Sequence, residues 1–354
     1  MRLFPKFLLS FSLLALVFLL IHYLTKSPTI QSNLALISTN HLLNIPFRYW
    51  INNEKVCIEG GILGVFIVTS YFGNVETRSS MRRAFGGDAL KKLGLRRVFL
   101  LGHAPGDKYT TQHALEEENR RFGDIVQGTF MEAYRNLTYK HVMGLKWAGT
   151  YCPNAQFVIK MDDDTVLNMY RLNLLLASLK AFAEKSFIAG YKLDKMKPIR
   201  DTQNKWYVTQ EEYAAKIYPQ FVSGWFYITT PQVSGRLASR ANQEKFFWID
   251  DVFITGLLAK KLKVKLFDIS QYFAVNSEYL QCCLQDFKRQ LDCDFYVGPN
   301  GGYIDMFYQF NHNYFTHCVE HKCKRKHSLP NESCVAEKKI NLGRGAPLIE
   351  TYHL

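Results

Sequence analysis

Three short apolar runs, each followed by a segment with helical spacing, constrain the fold of this 354-residue chain most strongly. They occupy residues 61–70, 97–102 and 156–160. Continuous apolar runs of this length are typical of strands that are buried on both faces. Further strands are expected at 124–127, 186–191, 221–229 and 263–269, and helices at 78–93, 113–122, 132–147 and 168–182. Strands that alternate with helices predict an α/β fold with a mostly parallel sheet.

The composition excludes several classes of protein. Hydrophobic residues make up 47% of the chain and charged residues 21%, so there is enough apolar surface to fold and intrinsic disorder is excluded. Glycine (22) and proline (11) are too few for a collagen-like fibre. The net charge of +13, from 44 basic and 31 acidic residues, suits either a phosphate-bearing substrate or a solvated basic surface. The sequence has no recognition-helix or base-stacking motif, so a nucleic-acid partner is not expected.

One long apolar run, FLLSFSLLALVFLLIHYL, lies at residues 7–24. Its 18 residues carry no Asp, Glu, Lys or Arg and would span roughly 27 Å as a helix, enough for a thin bilayer. Arg2 and Lys6 precede it, which favours a cytoplasmic N-terminus. The expected division is a cytoplasmic tail at 1–6, a signal-anchor at 7–24, a stem at 25–58 and a lumenal domain at 59–354. A cleaved signal peptide is the alternative, and it leads to the same lumen.

Glycosylation sequences and cysteines agree with a lumenal location. Asn136 and Asn331 each begin an N-x-Ser/Thr acceptor triplet. The eight cysteines are Cys57, Cys152, Cys282, Cys283, Cys293, Cys318, Cys323 and Cys334. In an oxidising compartment they are expected to pair, although the spacing does not give the connectivity. A zinc site at Cys318 and Cys323 is an alternative, and the region after residue 276 is expected to form an irregular, Cys-rich lobe.

Three consecutive carboxylates, Asp162, Asp163 and Asp164, directly follow the third apolar run. Buried carboxylates need a compensating cation, and ligands bind at the carboxyl ends of strands in α/β sheets. Clustered carboxylate oxygens suit a hard divalent cation, which could in turn hold a diphosphate. The alternative is a solvated acidic turn before the helix that begins near Asn168.

A second acidic pair, Asp250 and Asp251, lies between Trp248 and Phe253. Carboxyl groups among apolar residues are candidates for a raised pKa and for general-base catalysis. The same two residues are equally suited to the N-terminal cap of a helix through Leu258.

From the residues alone, two reactions compete. One is metal-dependent glycosyl transfer from a nucleotide sugar. The other is phosphoryl transfer through a D-x-D-x-T/V nucleophile motif, which Asp162, Asp164 and Val166 match. Phosphotransferases of that class place the motif on their first strand, whereas here at least two strands precede it.

Ordered sequence blocks resemble the β-1,3-glycosyltransferase family, the galactosyltransferase and N-acetylglucosaminyltransferase group of glycosyltransferase family 31. The blocks are RSSMRRAF at 78–85, FGDIVQGTF at 122–130, YRNLTYK at 134–140, FVIKMDDDTV at 157–166, YPQFVSG at 218–224, DDVFITG at 250–256 and TH at 316–317. They occur in family order over about residues 61–320. The resemblance implies a GT-A type fold, a Golgi signal-anchor, a UDP-sugar donor, Mn²⁺ and transfer with inversion to a glycan acceptor on a glycoprotein or glycolipid.

The resemblance also implies roles for individual residues. The metal would be held by Asp164, Asp162 and His317, and Asp251 would deprotonate the acceptor hydroxyl. The donor would contact Arg78, Arg82, Lys160 and Asp163. The acceptor would lie near Ser223, Gly224 and Trp225.

Three departures from the family pattern bear on activity. Phe85 replaces a Trp, Asp250 replaces a Glu, and Trp225 with Phe226 replaces small glycines. A Trp at the acceptor segment would reshape or partly fill the acceptor pocket. A lumenal protein that binds UDP-sugar or glycan without turnover is therefore the non-enzymatic alternative.

Overall fold

The computed structural model describes residues 48–182 and 186–324, which fall within one folded unit. The strands of these residues are β1 Tyr49–Ile51, β2 Gly64–Thr69, β3 Leu95–His103, β4 Ile125–Met131, β5 Phe157–Asp162, β6 Thr165–Leu167, β7 Phe187–Leu193, β8 Phe221–Thr229, β9 Lys265–Asp268 and β10 Val297–Pro299. The predicted apolar strands are therefore all present, with ends shifted by a few residues.

Eight of these strands form one sheet in the order β1-β4-β3-β2-β5-β8-β7-β9. Strands β4, β3, β2 and β5 are mutually parallel, whereas β8 is antiparallel to both β5 and β7. The sheet is mixed and mostly parallel, which confirms the predicted α/β class. The strand order reverses beside β2, because the chain runs outward to β3 and β4 on one side and returns to β5 on the other. A reversal of this kind opens a crevice at the carboxyl ends of β2 and β5.

Helices cover both faces of the sheet. Those of the described residues are α1 Val75–Ala84, α2 Gly87–Lys92, α3 Gln112–Phe122, α4 Leu137–Tyr151, α5 Met169–Lys180, α6 Pro231–Ala241, α7 Ala259–Lys261, α8 Ser277–Lys288 and α9 Met306–Tyr314, with π-helical segments at Val252–Leu258 and Phe315–Val319 and 3₁₀ turns at Tyr134–Asn136 and Ser270–Tyr272. Alternate residues of β2 enter different cores: Ile67 packs with Trp147 of α4, and Val68 packs with Met81 of α1. The sheet is thus buried on both faces, which is why its strands read as continuous apolar runs.

The predicted helix at 78–93 is wrong as one element, because it divides into α1 and α2. Phe85 and Gly86 are extended at the break. The Arg97 Nη1 donates to the carbonyl oxygens of Met81 and Phe85 at 3.2 and 3.0 Å. The last carbonyls of α1 are therefore satisfied by a distant strand residue instead of by a continuing helix.

The region after residue 276 is less irregular than expected. Helices α8 and α9 share a core that includes Leu280, Phe287 and Phe310. This lobe is joined to the sheet region by β10, which pairs antiparallel with β6, and by Asn311, whose Nδ2 donates to the Leu167 carbonyl at 2.9 Å. It thus supports the backbone that follows Asp164.

Disulfides join Cys57 to Cys152, Cys283 to Cys293 and Cys318 to Cys323. The last bond consumes both thiols of the zinc alternative, which is therefore wrong. The first bond, together with the pairing of β1 on β4, builds residues 49–57 into the folded unit, although they were expected to be stem. Within the described residues no helix is long and apolar enough to cross a bilayer. The apolar run at 7–24 lies outside those residues.

Candidate functional site

The three consecutive carboxylates lie at the crevice beside β2. Asp162 is the last residue of β5, and its register partner is Thr69 at the end of β2. The Asp163 N–H donates to the Thr69 carbonyl at 3.0 Å, so the two strand ends stay together beyond the sheet. The acidic turn is therefore part of the sheet edge where α/β folds bind ligands.

Lys160 joins Asp162 to strand β8. Its side chain is buried, and its Nζ lies 2.5 Å from Asp162 Oδ1 and donates to the Gly224 carbonyl. One ammonium group thus satisfies a carboxylate and a backbone oxygen on neighbouring strands. The structure thus brings together Lys160 and Gly224, which are 64 positions apart in the chain and lie in different family blocks.

Asp163 is directed toward the end of β2. Its Oδ2 accepts hydrogen bonds from Ser70 Oγ at 2.7 Å and Asn74 Nδ2 at 3.0 Å. Burial raises the pKa of Asp163, although these two hydrogen bonds oppose the shift. Its carboxyl supports the turn and lies beside the crevice.

Asp164 projects toward solvent on a fixed backbone. Its carbonyl accepts from the Asn300 N–H at 2.7 Å, a contact with the C-terminal lobe. Burial of the carboxyl group among its neighbours, followed by repulsion from Asp162 and Asp163, raises the pKa of Asp164 to about 7, although the residue as a whole is exposed. Because the side chain is exposed, a cation can reach it from solvent and relieve the repulsion.

The second acidic pair lies across Gly224 from the first. A Cβ added to Gly224 would come within 3.0 Å of the Asp251 Cβ, so only glycine lets β8 approach this closely. Asp251 Oδ2 accepts from the Gly224 N–H at 3.4 Å, and Oδ1 accepts from the Val252 N–H at 2.7 Å, which caps the π-helical segment. The capping role and a catalytic role are compatible, because the cap occupies Oδ1, and Oδ2, which accepts one long hydrogen bond, keeps a second lone pair for a proton.

Burial raises the pKa of Asp251 to about 7, and the neighbouring charge of Asp250 adds to the shift. Asp250 behaves in the opposite way: burial opposes its ionisation, but the hydrogen bond with His141 outweighs burial and lowers its pKa. The pair therefore contains one carboxylate that stays ionised and one that exchanges its proton near neutral pH.

His141 connects Asp250 to the sheet. Its Nδ1 lies 2.8 Å from Asp250 Oδ2, and its Nε2 lies 2.6 Å from the Tyr227 hydroxyl. Burial lowers the pKa of His141 against the attraction of Asp250, so the ring is neutral. An ionised carboxylate can only accept, so Nδ1–H donates to Asp250 and the Tyr227 hydroxyl donates to Nε2.

Arg78 and Arg82, expected to contact the donor, are turned inward. Arg78 forms a bidentate ion pair with Glu118, at 2.7 Å for both bonds, and also donates to the Tyr71 carbonyl at 2.8 Å. Arg82 pairs with Glu118 and with Asp124. In this structure Arg78 supports the turn after β2, and Arg82 joins α1 to α3 and to the residue before β4. Their expected contact with a donor stays a prediction.

The other predicted residues are the acceptor-side residues of β8, His317 and the two glycosylation asparagines. Ser223 and Trp225 flank Gly224 on β8, and the Trp225 ring packs edge-on against Phe273 with ring centroids 5.1 Å apart. His317 lies in the π-helical segment after α9, and no contact joins it to the carboxylates in the described part of the chain. Asn136 ends a 3₁₀ turn, where its Nδ2 donates to the Met131 carbonyl at 2.9 Å. Asn331 lies outside the described residues.

Exposed aromatic side chains that the sequence reasoning did not single out lie beside the acidic pair. Tyr134 and Trp206 are both exposed. Burial of the hydroxyl raises the pKa of Tyr134 to about 12, while a hydrogen bond from Trp206 opposes the shift and the charges of Asp250 and Asp251 add to it. The Tyr134 ring also lies 6.1 Å from that of Trp248, whose buried Nε1 has no partner among the described residues.

The carboxylates at the end of β5 have the donor chemistry that a hard divalent cation requires. Within residues 48–182 and 186–324, no three His, Cys, Asp or Glu side chains are arranged as a complete metal site. Mg²⁺-type sites in phosphate-binding enzymes often use only one or two carboxylates, and the substrate phosphates and water complete the coordination. Asp162 and Asp164 fit that description, since repulsion among these carboxyl groups raises the pKa of Asp164.

A sequence model of the family described as galactosyltransferase matches residues 76–270, more than half of the chain. The chain belongs to this family. The matched region covers both acidic clusters, which disfavours the phosphotransferase alternative. The resemblance to β-1,3-glycosyltransferases inferred from the sequence blocks is confirmed.

Curated members of the family show the extent of the similarity. β-1,3-Galactosyltransferase 2 of Mus musculus is 30% identical over 64% of this chain and 54% of its own length. β-1,3-Galactosyltransferase 5 of Gorilla gorilla gorilla is 32% identical over 65% of this chain and 76% of its own length. Lactosylceramide 1,3-N-acetyl-β-D-glucosaminyltransferase of Homo sapiens is 31% identical over 62% of this chain and 59% of its own length. The match thus spans about half of the length of the β-1,3-galactosyltransferase 2 relative.

The sequence reasoning missed the supports of the site more than its reactive groups. His141 and Tyr227 were not predicted, although Lys140 and His141 are adjacent polar residues in an otherwise apolar, buried stretch of α4. That contrast was an available signal. Lys140 Nζ donates to the Ser70 carbonyl at 2.6 Å and to Glu132 Oε1 at 2.5 Å. Lys140 therefore ties the turn after β2 to helix α4.

Proposed function

We propose that this chain is a glycosyltransferase that moves a sugar, with galactose favoured, from a UDP-sugar to a glycan acceptor in β-1,3 linkage with inversion. The observation that carries the proposal is the meeting of two acidic clusters at Gly224. Lys160 bonds both to Asp162 and to the Gly224 carbonyl, which links the first cluster to this glycine. The Gly224 N–H donates directly to Asp251 of the second cluster. Membership in the galactosyltransferase family supports the same reaction.

The first cluster would serve the donor. Asp162 and Asp164 would hold Mn²⁺, which when bound would neutralise charge on the diphosphate leaving group. Lys160 would keep Asp162 in place through its contacts with Asp162 and Gly224. Asp163 would hold the turn through Ser70 and Asn74.

The second cluster would serve the acceptor. A general base works best when its pKa is near the operating pH, and the pKa of Asp251 is about 7. Asp251 would take the proton of the acceptor hydroxyl while that oxygen forms a bond to the anomeric carbon. The bond from that carbon to the UDP oxygen breaks in the same step, and no covalent intermediate with the protein is required.

The acceptor would lie between the acidic pair and the exposed rings of Tyr134 and Trp206. Aromatic faces suit the apolar C–H faces of a sugar, while their polar edges bind its hydroxyl groups. Ser223 and Gly224 would border the acceptor. One relative is named for transfer to lactosylceramide, a glycolipid, which supports a glycolipid glycan as one acceptor class; glycans of glycoproteins are the other class that we propose.

We place the protein in the Golgi membrane as a single-pass type II protein, anchored through residues 7–24. The disulfides Cys57–Cys152, Cys283–Cys293 and Cys318–Cys323 support an oxidising lumen. Sequencing the mature N-terminus tests the anchor: cleavage near residues 25–30 would contradict it.

A transfer assay tests the reaction. The full-length chain, purified in detergent, is incubated with Mn²⁺, a panel of UDP-sugars and glycans that end in galactose or N-acetylglucosamine. We expect UDP release that depends on the acceptor, a product heavier by one hexose, and a β-1,3 linkage by NMR. A protein that binds UDP and Mn²⁺ but transfers to no acceptor in a broad panel would instead be a binding protein.

A further inference from the structure

A cavity lies at the opposite ends of the parallel strands from the candidate site. It has a volume of about 640 Å³ and is bordered by the amino-terminal ends of β3 and β4. Ligand cavities in proteins typically have volumes of about 300–1,000 Å³. None of the five carboxylates of the two acidic clusters lines it. Five basic residues line it, Lys55, Arg82, Lys91, Arg96 and Arg97, against three acidic ones, Glu54, Glu59 and Asp124. Glu59 pairs with both Lys91 and Arg96.

The charges buried beside this cavity do not balance. Arg78, Arg82 and Arg97 are all buried, and within the described residues their ion pairs share two carboxylates, those of Glu118 and Asp124. The two stronger pairs go to Arg78 and Arg82. Arg97 is left with Asp124 at 3.8 Å, so one guanidinium charge lacks a full counterion.

Arg97 is the least neutralised of these three groups. It is 7% exposed and lines the cavity. Its Nη1 donates to the Met81 and Phe85 carbonyls, which are neutral, and its buried Nε has no hydrogen-bond partner among the described residues. Burial lowers the pKa of Arg97 to about 10, and Asp124 only partly offsets this. A buried, under-neutralised guanidinium at a cavity wall is a binding group for an oxyanion.

The cavity is larger than a single tetrahedral anion needs. Phe122 borders it and is 44% exposed, with the Arg82 guanidinium 4.2 Å from the centre of its ring. An exposed aromatic surface supports a ligand that carries a ring in addition to its charge.

We propose that this cavity binds a phosphate or sulfate monoester of a sugar-sized molecule, with the anion at Arg97 and the ring near Phe122. The site is separate from the candidate active site and does not depend on the glycosyltransferase proposal. Lys55 and Lys91, which are exposed on the cavity wall, would add attraction at its mouth.

Thermal unfolding of the full-length chain in detergent tests the site. Intrinsic fluorescence is followed with EDTA present and ionic strength matched by NaCl, during titration with glucose 6-phosphate, inorganic phosphate or glucose. At about ten times the dissociation constant, we expect glucose 6-phosphate to raise the Tm by roughly 2–5 °C and glucose to leave it unchanged. Equal shifts with phosphate and glucose 6-phosphate would mean that the site reads the anion alone; a larger shift with the ester would assign the ring a role.

Two variant pairs with equal changes in charge localise the effect. Lys55→Gln with Lys91→Gln removes two charges from this cavity, whereas Lys92→Gln with Lys180→Gln removes two from a different cavity. We expect the apparent dissociation constant to rise about tenfold in the first pair only. The shift should persist in Asp164→Ala, which separates this site from the donor site.

Arg97→Gln should abolish the shift if the variant folds, and the lysine pairs decide the question if it does not. The absence of any shift with both phosphate compounds, or equal weakening in the two lysine pairs, would overturn the proposal.

Discussion

Two acidic clusters flank Gly224, and each contains one carboxyl whose pKa is raised to about 7. In the first, Asp162 is the carboxylate of three that forms an ion pair with Lys160, and Asp164 is exposed. In the second, two carboxylates face a neutral histidine, and Asp251 is partly buried. Repulsion between like charges contributes to the raised pKa in both clusters, but the partner that can relieve the repulsion differs.

The difference lies in what each cluster lacks. Asp164 has an open path to solvent and an excess of negative neighbours, so a cation is the partner that relieves it. Asp251 is partly buried and bonds to the Gly224 and Val252 N–H groups beside Asp250. Its raised pKa suits it to take the proton of an incoming hydroxyl. The first cluster therefore suits metal and diphosphate, and the second suits general-base catalysis.

The largest effect is expected from Asp164→Ala. Removal of the exposed carboxylate should reduce transfer to the assay background and abolish Mn²⁺-dependent UDP binding, measured by calorimetry. The free energy of unfolding in EDTA should not fall, because the substitution relieves repulsion from Asp162 and Asp163. Wild-type transfer in this variant would show that the segment is only a surface turn, and phospho-aspartate at Asp162 would revive the phosphotransferase alternative.

The next largest effect is expected from Asp251→Asn. This nearly isosteric change removes the base and keeps the first cluster intact. Turnover should fall by roughly 10²–10⁴-fold, the usual contribution of a general base, while the dissociation constant of the UDP-sugar should change little. If donor affinity fell as much as turnover, the two clusters would not have separate roles.

The sequence located the two acidic clusters better than the contacts around them, for physical reasons. The strand before Asp162 is visible locally, because burial on both faces leaves a continuous apolar run. The inward direction of Arg82 depends on Asp124, which is 42 residues away, and no local pattern records that pairing. The break at Gly86 likewise depends on Arg97, a residue of the next strand. Tertiary contacts of this kind override local helical spacing.

A smaller effect, on the pH profile, is expected from Asp250→Asn. In the wild type, Asp251 must be deprotonated to act as a base, so kcat/KM should rise with pH through about 7 and level off above it. The charge of Asp250 contributes to that raised pKa, so its removal should move the rise to lower pH. The profile is measured from pH 5 to 9 at saturating Mn²⁺. An unchanged or higher midpoint would mean that Asp250 does not tune the base.

The smallest catalytic effect is expected from Tyr227→Phe, which separates support from chemistry. The substitution removes the hydroxyl that donates to His141 Nε2 at 2.6 Å and leaves a buried acceptor without a partner. Such a loss costs about 1–3 kcal/mol of unfolding free energy, which urea denaturation measures. The hydrogen bond from His141 Nδ1 to Asp250 persists, so Asp250 stays ionised and turnover should change only a few-fold.

Thr229→Val is a matched control for that substitution, because Thr229 is also on β8 and its hydroxyl donates a buried hydrogen bond, at 2.6 Å to the Phe187 carbonyl, away from both clusters. It should lose comparable stability without any change in the pH profile. A loss of turnover in Tyr227→Phe as large as that in Asp251→Asn would place the Tyr227 hydroxyl in the reaction itself. A loss of stability alone, equal to that of the control, would show that the Tyr227 hydroxyl supports the fold and takes no part in proton transfer.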